Sequence, residues 1–354
     1  MTDARRATII GAGLIGGSIG LALRAHGWFV SGTDRDEAMA ARALELGALD
    51  AIGIDATADI TFVATPVGSI PSLVRQALDG STGLVTDVGS VKTPMLDLMD
   101  DPRFVGGHPM AGSELEGVDG ARADLFEGAT WVLTPTAGTD DAAFTEVRSV
   151  VSSLGADVVA IPPEQHDSMV AVVSHIPHLT ATTLMRLADE RSVEHRALLR
   201  LAAGGFRDMT RIAAGHPGIW PDICAENRVA ILDELDRLTD ALGEVRDLVA
   251  TGDRAGLIAM LEQARTARMA LPSRFVRPSE LVEIRVPIPD RKGVLAEITT
   301  LATELDVSIA DIEIAHSAEG PQGVLILVVE AASGEQLRDG LITRGFRPSV
   351  RGLE

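Results

Sequence analysis

A short β-branched run, Ala7-Thr-Ile-Ile10, passes directly into Gly11-Ala-Gly13-Leu14-Ile15-Gly16, and residues 18–26 then carry helical spacing. A G-x-G-x-x-G held between a strand and a helix constrains this chain more than any other feature. The first glycine permits a tight turn, the second lets backbone approach a pyrophosphate, and the third lets helix and strand pack closely. The helix start then offers free N–H groups to phosphate oxygens. Any tight strand–helix turn can imitate the motif, so its second half matters. Residues 28–33 read as the next strand, with Asp34 at its end. A carboxylate there accepts hydrogen bonds from both ribose hydroxyls and repels a 2′-phosphate, which favours NAD over NADP. Arg35 works the other way, since a guanidinium accommodates a 2′-phosphate. The plain alternative for Asp34 is a turn acid or helix cap.

Strand-like and helix-like segments alternate from there: helix 36–46, strand 60–66, helix 69–78, strand 83–88, helix 93–99 and strand 104–107. Strands at 130–136 and 157–161 flank a helix at 142–154. The alternation predicts an α/β fold with a doubly wound, mostly parallel sheet, whose ligands sit beyond the carboxyl ends of the strands. Three loops should meet there: Thr65-Pro66-Val67, Gly89-Ser90-Val91-Lys92 and the glycine-rich stretch 106–117 with His108 and Glu114. That stretch has too many glycines for a helix and too little β-branching for a strand, so it is expected to be a loop. His108 can give or take a proton near neutral pH.

After Pro162-Pro163 the pattern turns helical. Residues 165–188 read as one helix containing Ser174-His175-Ile-Pro177-His178. Residues 225–249 form a second, and 254–270 its hairpin partner. Their apolar stripes predict an all-helical domain that buries against itself and against a second subunit, as a homodimer. Between them lies Gly205-Phe-Arg207-Asp208-Met-Thr-Arg211, followed by Trp220. Arginine suits bidentate capture of a carboxylate. An exposed helix start with solvated arginines explains the same residues, and Trp220 is as readily core as pocket. His175 and His178 could form a metal pair, but a third ligand at suitable spacing is missing, so no metal is expected. A linker at 273–280 leads to βαββαβ over 281–354, the ferredoxin-like arrangement. The expected domains are therefore 1–162, 163–272 and 281–354.

A length of 354 residues suits two or three domains. The formal charge of −20 argues against nucleic acid and anionic membranes as partners, and requires a locally positive pocket for an anionic substrate. With Cys224 the one cysteine, no internal disulfide can form, and a reducing cytoplasm is the simplest home. Tyrosine is absent, which removes the phenol from the list of catalytic acids. Arg5-Arg6 followed by an apolar stretch imitates a secretory signal, but its glycines fit strand–turn–helix better. No other stretch reaches the ~18 apolar residues of a membrane span.

Four further segments carry a resemblance: Asp87-Val-Gly-Ser90-Val-Lys92, Gly107-His108-Pro-Met-Ala-Gly-Ser-Glu114, Val173-Ser-His175-Ile-Pro-His178 and Gly205-Phe-Arg207-Asp208-Met-Thr-Arg211. In this order behind a dinucleotide turn, they resemble the prephenate and arogenate dehydrogenases over essentially the whole chain. Pro289-Asp290-Arg-Lys-Gly293-Val294-Leu295 looks like the first turn of an ACT-type regulatory domain. The resemblance implies oxidative decarboxylation of a cyclohexadienol with NAD and without metal. His108 would accept the substrate hydroxyl proton, Ser90 would hydrogen-bond the same region and orient His108, and Arg211 would clamp a carboxylate. His178, Arg207, Lys92 and Trp220 would line the pocket, while Glu114 and Asp208 would gate it. Tyrosine is the implied effector at Asp290 and Gly293–Leu295, with residues 308–311 as further candidates. Relatives often carry lysine at the position of Arg207. Some are fused to a chorismate mutase, for which this chain has no room before its first strand.

Prephenate and arogenate stay open as substrates, with Arg207 and His178 favouring the keto acid. A non-catalytic NAD or amino-acid sensor could dispense with His108 and Arg211, yet both are present. A β-hydroxyacid dehydrogenase would need a lysine on the first long interdomain helix, and residues 165–188 contain none.

Overall fold

The computed structural model describes residues 4–98, 101–113, 115, 117–192, 198–271, 281–289, 291–316 and 322–352. Glu114, Asp290 and the expected linker at 273–280 lie outside the described residues. The chain divides into two compact units, residues 1–244 and 245–354.

The first unit opens with β1 (Arg6–Ile10), α1 (Leu14–Ala25), β2 (Phe29–Thr33), α2 (Glu37–Glu45), β3 (Ala51–Ile52), β4 (Ile60–Val63) and α3 (Ile70–Gly80). β5 (Leu84–Asp87), β6 (Phe104–Pro109), β7 (Thr130–Thr134), α4 (Asp141–Ser153) and β8 (Asp157–Ala160) complete an eight-stranded sheet of order β3-β2-β1-β4-β5-β6-β7-β8. All its pairs are parallel except β6 with β7. The doubly wound sheet expected from the alternation is therefore present. Strands β1 and β4 are buried almost throughout, which is why they read as continuous apolar runs instead of alternating ones. One cluster joins Ile9, Val30, Phe62, Val105, Trp131 and Leu133. A second joins Val63, Ile70, Val74, Val85 and Met95. Each such side chain contributes roughly 1.5–3 kcal/mol on burial.

The stretch 106–117 departs from its expectation. The strand expected to stop at Gly107 runs on through His108 and Pro109 as β6, paired antiparallel with β7, His108 facing Val132 in register. Gly107 serves close packing here, because a Cβ would stand 2.7 Å from Asp87 O. The expected helix at 93–99 is a 3₁₀ segment, Thr93–Leu98.

The helical region starts with α5 (Pro163–Val170) and α6 (Ile176–Ser192), joined by a single π turn, Ala171–His175. Pro177 lacks an N–H and clashes with the preceding turn of a regular helix, so the expected helix bulges just before it. α7 (Gly204–Thr210), α8 (Trp220–Glu226) and α9 (Arg228–Thr251) follow. The helix expected over 225–249 is broken at Asn227, which is buried and spends its side chain on Asp167 O and His175.

In the second unit, α10 (Arg254–Met269) precedes β9 (Leu281–Pro289), α11 (Val294–Glu304), β10 (Ile309–His316), β11 (Gln322–Glu330), α12 (Ala331–Thr343) and β12 (Ser349–Gly352). The four strands form an antiparallel sheet in the order β10-β11-β9-β12, the ferredoxin-like arrangement expected of βαββαβ. Its core packs Ile284, Val286, Ile298, Leu325, Leu327 and Leu337.

Candidate active site

The turn between β1 and α1 shows why its glycines are needed. Gly11 sits at φ +98°, and a Cβ there would lie 2.4 Å from Ala64 O. A Cβ on Gly16 would stand 1.9 Å from Gly11 O, so only hydrogen lets helix and turn pack. At Gly13 the same test meets nothing within 4 Å, which leaves the turn open on that side. Gly13 is also the N-cap of α1, with no side chain bonded to the helix start. Asp34 reaches the turn from the end of β2: its Oδ2 accepts Ala12 N–H at 2.8 Å and its Oδ1 accepts Asp36 N–H at 3.0 Å. Each oxygen keeps a lone pair for a ribose hydroxyl. Arg35 is exposed beside it. An open, uncapped glycine turn with a carboxylate at its edge fits a dinucleotide.

A cavity of about 540 Å³ runs from this turn. Leu14, Ile15, Thr65 and Pro66 line one part of it, and Ser90, His108, His175, Trp220 and Asp222 another. Three sequence segments predicted to meet beyond the sheet thus do so. His178 stacks on Trp220 with ring centroids 3.7 Å apart, and His175 meets the same indole edge-on at 6.1 Å.

Lys92 does not line the cavity. It is fully buried, its ammonium bonded to the Asp87 carboxylate and, at 2.6 Å, to Gly107 O. Asp87 also accepts Gly89 N–H at 2.7 Å and Gly107 N–H at 3.1 Å. The pair is a staple under the site that ties the Ser90 loop to the His108 strand. Burial pushes the Lys92 amine below its ordinary value, against the raising effect of Asp87.

Arg207, Asp208 and Arg211 stand on α7 and the turn after it, all exposed and outside the cavity lining. Arg207 Nε donates to Ala202 O at 3.1 Å. The segment nonetheless abuts the site, since a Cβ on Gly215 would lie 3.8 Å from His178 Cε1.

Sequence reasoning missed His166, Asp167, Asn227 and Asp222. His108 Nδ1 lies 2.8 Å from His166 Nε2, and His166 Nδ1 lies 2.7 Å from Asp167 Oδ1. Asp167 further accepts Lys92 N–H at 2.8 Å, Thr93 N–H at 2.7 Å and the Thr93 hydroxyl. Burial works to raise its carboxyl, yet His166, Thr93 and Lys92 together hold it below its ordinary value. Burial, followed by His166, Lys92 and His175, drives His108 well below the usual imidazole value. Burial likewise brings His175 down to about 4. The sequence signal available was the adjacent His166-Asp167 at the start of the helix after Pro162-Pro163. Among the described residues no cluster of metal-binding side chains occurs.

In the second unit Gly293 adopts φ +88° as the N-cap of α11. Val294 points into the core and Leu295 is partly exposed, so the backbone of this turn, not the Val294 side chain, is what an effector could meet.

A dinucleotide turn and a half-buried imidazole of lowered proton affinity on one cleft are the equipment of a hydride-transferring dehydrogenase. Residues 19–160 match the prephenate dehydrogenase nucleotide-binding domain, and residues 162–263 the prephenate dehydrogenase dimerization domain. The chain belongs to the prephenate dehydrogenase family. It is 35% identical to the prephenate dehydrogenase of Bacillus subtilis strain 168, covering 90% of each chain. It resembles the crystal structure of prephenate dehydrogenase from A. aeolicus in complex with hydroxyphenyl propionate and NAD+, with 30% identity, a TM-score of 0.71, and 76% of this chain and 99% of that one covered. The Synechocystis arogenate dehydrogenase structure is similar at 31% identity and a TM-score of 0.66, covering 74% of this chain and 98% of that one.

Proposed function

We propose that this chain is an NAD-dependent prephenate dehydrogenase of tyrosine biosynthesis, converting prephenate and NAD+ into 4-hydroxyphenylpyruvate, CO2 and NADH. The observation that carries the reading is His108, a half-buried imidazole on a cavity continuous with the dinucleotide turn, its proton affinity lowered by its surroundings. The bound nicotinamide supplies the hydride acceptor. Gly13 and the start of α1 would hold the pyrophosphate on the turn that Gly11 and Gly16 shape, Asp34 would hold the ribose with Arg35 at its flank, and Thr65 and Pro66 would border the cofactor. His108 takes the substrate's hydroxyl proton as the ring C–H bond gives up its hydride. The ring carboxylate then leaves as CO2, and its bonding electrons make the ring aromatic. A base whose proton affinity suits the working pH contributes about 10²–10⁴ in rate.

Ser90 shares the cavity with His108 and orients the hydroxyl. Trp220 forms a flat wall for the ring, and His178, which is not itself on the cavity lining, braces the indole by stacking on it. Arg211 and Arg207 bind carboxylate from the segment beside His178, with Asp208 keeping them ordered and Glu114 gating the entrance. Lys92 acts from below through Asp87. The arogenate reading retains one favourable observation: Asp222, an acid on the cavity lining, suits an ammonium group better than a keto acid.

The helical region exposes Val172, Val173, Val229, Leu232 and Leu242. Together with the dimerization-domain match, these support a homodimer. The Gly293 turn is the proposed tyrosine site; within one chain residues 308–311 do not join it, since Ile309 is level with Val329 and Val282, at the opposite end of the sheet from Pro289. No helix among the described residues is long and apolar enough to cross a membrane; a cytoplasmic home and the absence of nucleic-acid partners accord with the single cysteine and the charge of −20. Initial rates of NADH formation with prephenate and with arogenate, side by side, test the reading. Turnover of prephenate is expected, arogenate alone would move the product to tyrosine, and no turnover of either would leave only a sensor.

A further inference from the structure

We propose that His166 and Asp167 are positioning residues that hold the proton of His108 on Nδ1, leaving Nε2 as the cavity-facing base. This rests on His108 being the base for the substrate hydroxyl.

The argument is an accounting of donors. Asp167 accepts Lys92 N–H on Oδ1 and both Thr93 N–H and the Thr93 hydroxyl on Oδ2, and His166 Nδ1 lies 2.7 Å from Oδ1. Three donors that do not depend on His166 converge on this buried carboxyl, which is held below its ordinary value, and an ionised carboxylate only accepts. His166 Nδ1 therefore carries its proton. A neutral His166 then has a bare Nε2, which must accept, so the 2.8 Å contact is a bond donated by His108 Nδ1–H. The nitrogen left without a proton is His108 Nε2, and His108 lies on the cavity. The ring centroids stand 5.1 Å apart with 74° between the planes, a separation that sets ring nitrogen against ring nitrogen.

The same chain serves the charged intermediate state. When His108 gains a proton at Nε2, its imidazolium forms beside the buried Lys92 ammonium and near His175, a costly place for a cation. His166 Nε2 accepts more strongly from that cation, and the Asp167 carboxylate stabilises positive charge spread over both rings. Lys92 itself is neutralised by Asp87. Tautomer control by a carboxylate one residue removed is an interaction that a lone buried histidine lacks.

The first test is direct. Long-range ¹H–¹⁵N spectra of the full-length chain labelled in its histidines, assigned by His108→Asn and His166→Gln, should show both rings protonated at Nδ1. A His108 proton on Nε2 would overturn the proposal, whatever the fate of the base reading. The second test compares His166→Gln, which keeps an acceptor, with His166→Leu, which does not. His166→Leu should lower kcat by about 10²-fold, the low end for loss of acid–base function, while KM for prephenate stays within a few-fold. The acidic limb of its pH–rate profile should shift, and His166→Gln should recover most of the loss. Equal losses in both, with unshifted profiles, would make the contact merely structural. If His108→Asn remains active while the spectra show the Nδ1 tautomer, the base reading fails and the tautomer assignment stands.

Discussion

The Lys92 ammonium is bonded to the Asp87 carboxylate with neither side chain exposed to solvent. Desolvating both ions is expensive, and the pair is sustained because Asp87 also collects two backbone N–H groups and Lys92 a carbonyl. The structure thus turns a residue that reads as a substrate ligand into a brace between the Ser90 loop and the His108 strand.

Removing one ion should therefore cost more than removing a surface charge. Lys92→Met strands a buried carboxylate and is expected to lower the unfolding free energy by about 3–5 kcal/mol. Urea titration measures it. A loss below about 1 kcal/mol, the scale of exposed pairs, would place the ammonium in solvent.

Cofactor choice should follow Asp34. Asp34→Asn loses the charge that repels a 2′-phosphate and weakens the ribose bonds, while Arg35 remains alongside. The ratio of kcat/KM for NAD over NADP is expected to fall by about 10–100-fold, the equivalent of one charge-assisted hydrogen bond. An unchanged ratio would remove Asp34 from the ribose site.

The glycines separate packing from binding. Gly16→Ala places a methyl 1.9 Å from Gly11 O, so both thermal stability and NAD affinity should drop. Gly13→Ala meets no protein atom within 4 Å. It should leave the stability of the free protein within about 0.5 kcal/mol, as a surface change does, yet weaken NAD binding measured by calorimetry. Undiminished affinity would show that the pyrophosphate does not approach Gly13.

Stability should decline on mild acidification. Burial lowers His175 from 6.5 to about 4. Above pH 6.5 neither the folded nor the unfolded ring is charged, and its contribution is complete. Between 6.5 and 4 the unfolded chain binds a proton that the folded one refuses, so stability falls by up to about 1.4 kcal/mol per pH unit. His108, also depressed, adds in the same direction. Chemical denaturation at stepped pH should show a shallower slope for His175→Gln than for the parent chain; parallel slopes would mean His175 titrates normally.

What was legible in the sequence was what local chemistry dictates. The glycine turn and Asp34 announce themselves because turn, helix start and strand end are neighbours in the chain. The βαββαβ order of the last residues likewise gave its sheet order. The His108–His166 contact spans 58 residues, and no periodicity reveals which helix start will face a given strand end. The extension of β6 through His108 and Pro109 was hidden for a related reason: its pairing with β7 is long-range, and Gly107 reflects close packing on Asp87 O instead of a turn. Pro177 could have signalled the π turn, since a proline inside a helix must disturb the turn before it.

The central claim is that His108 is the base for the substrate hydroxyl. The most direct measurement is single-turnover NADH formation from prephenate by His108→Asn beside the parent enzyme, with NAD binding checked in both. The account predicts unchanged NAD affinity and a rate lowered by about 10²–10⁴. A rate within a few-fold of the parent would contradict it and move the base to another residue of the cavity.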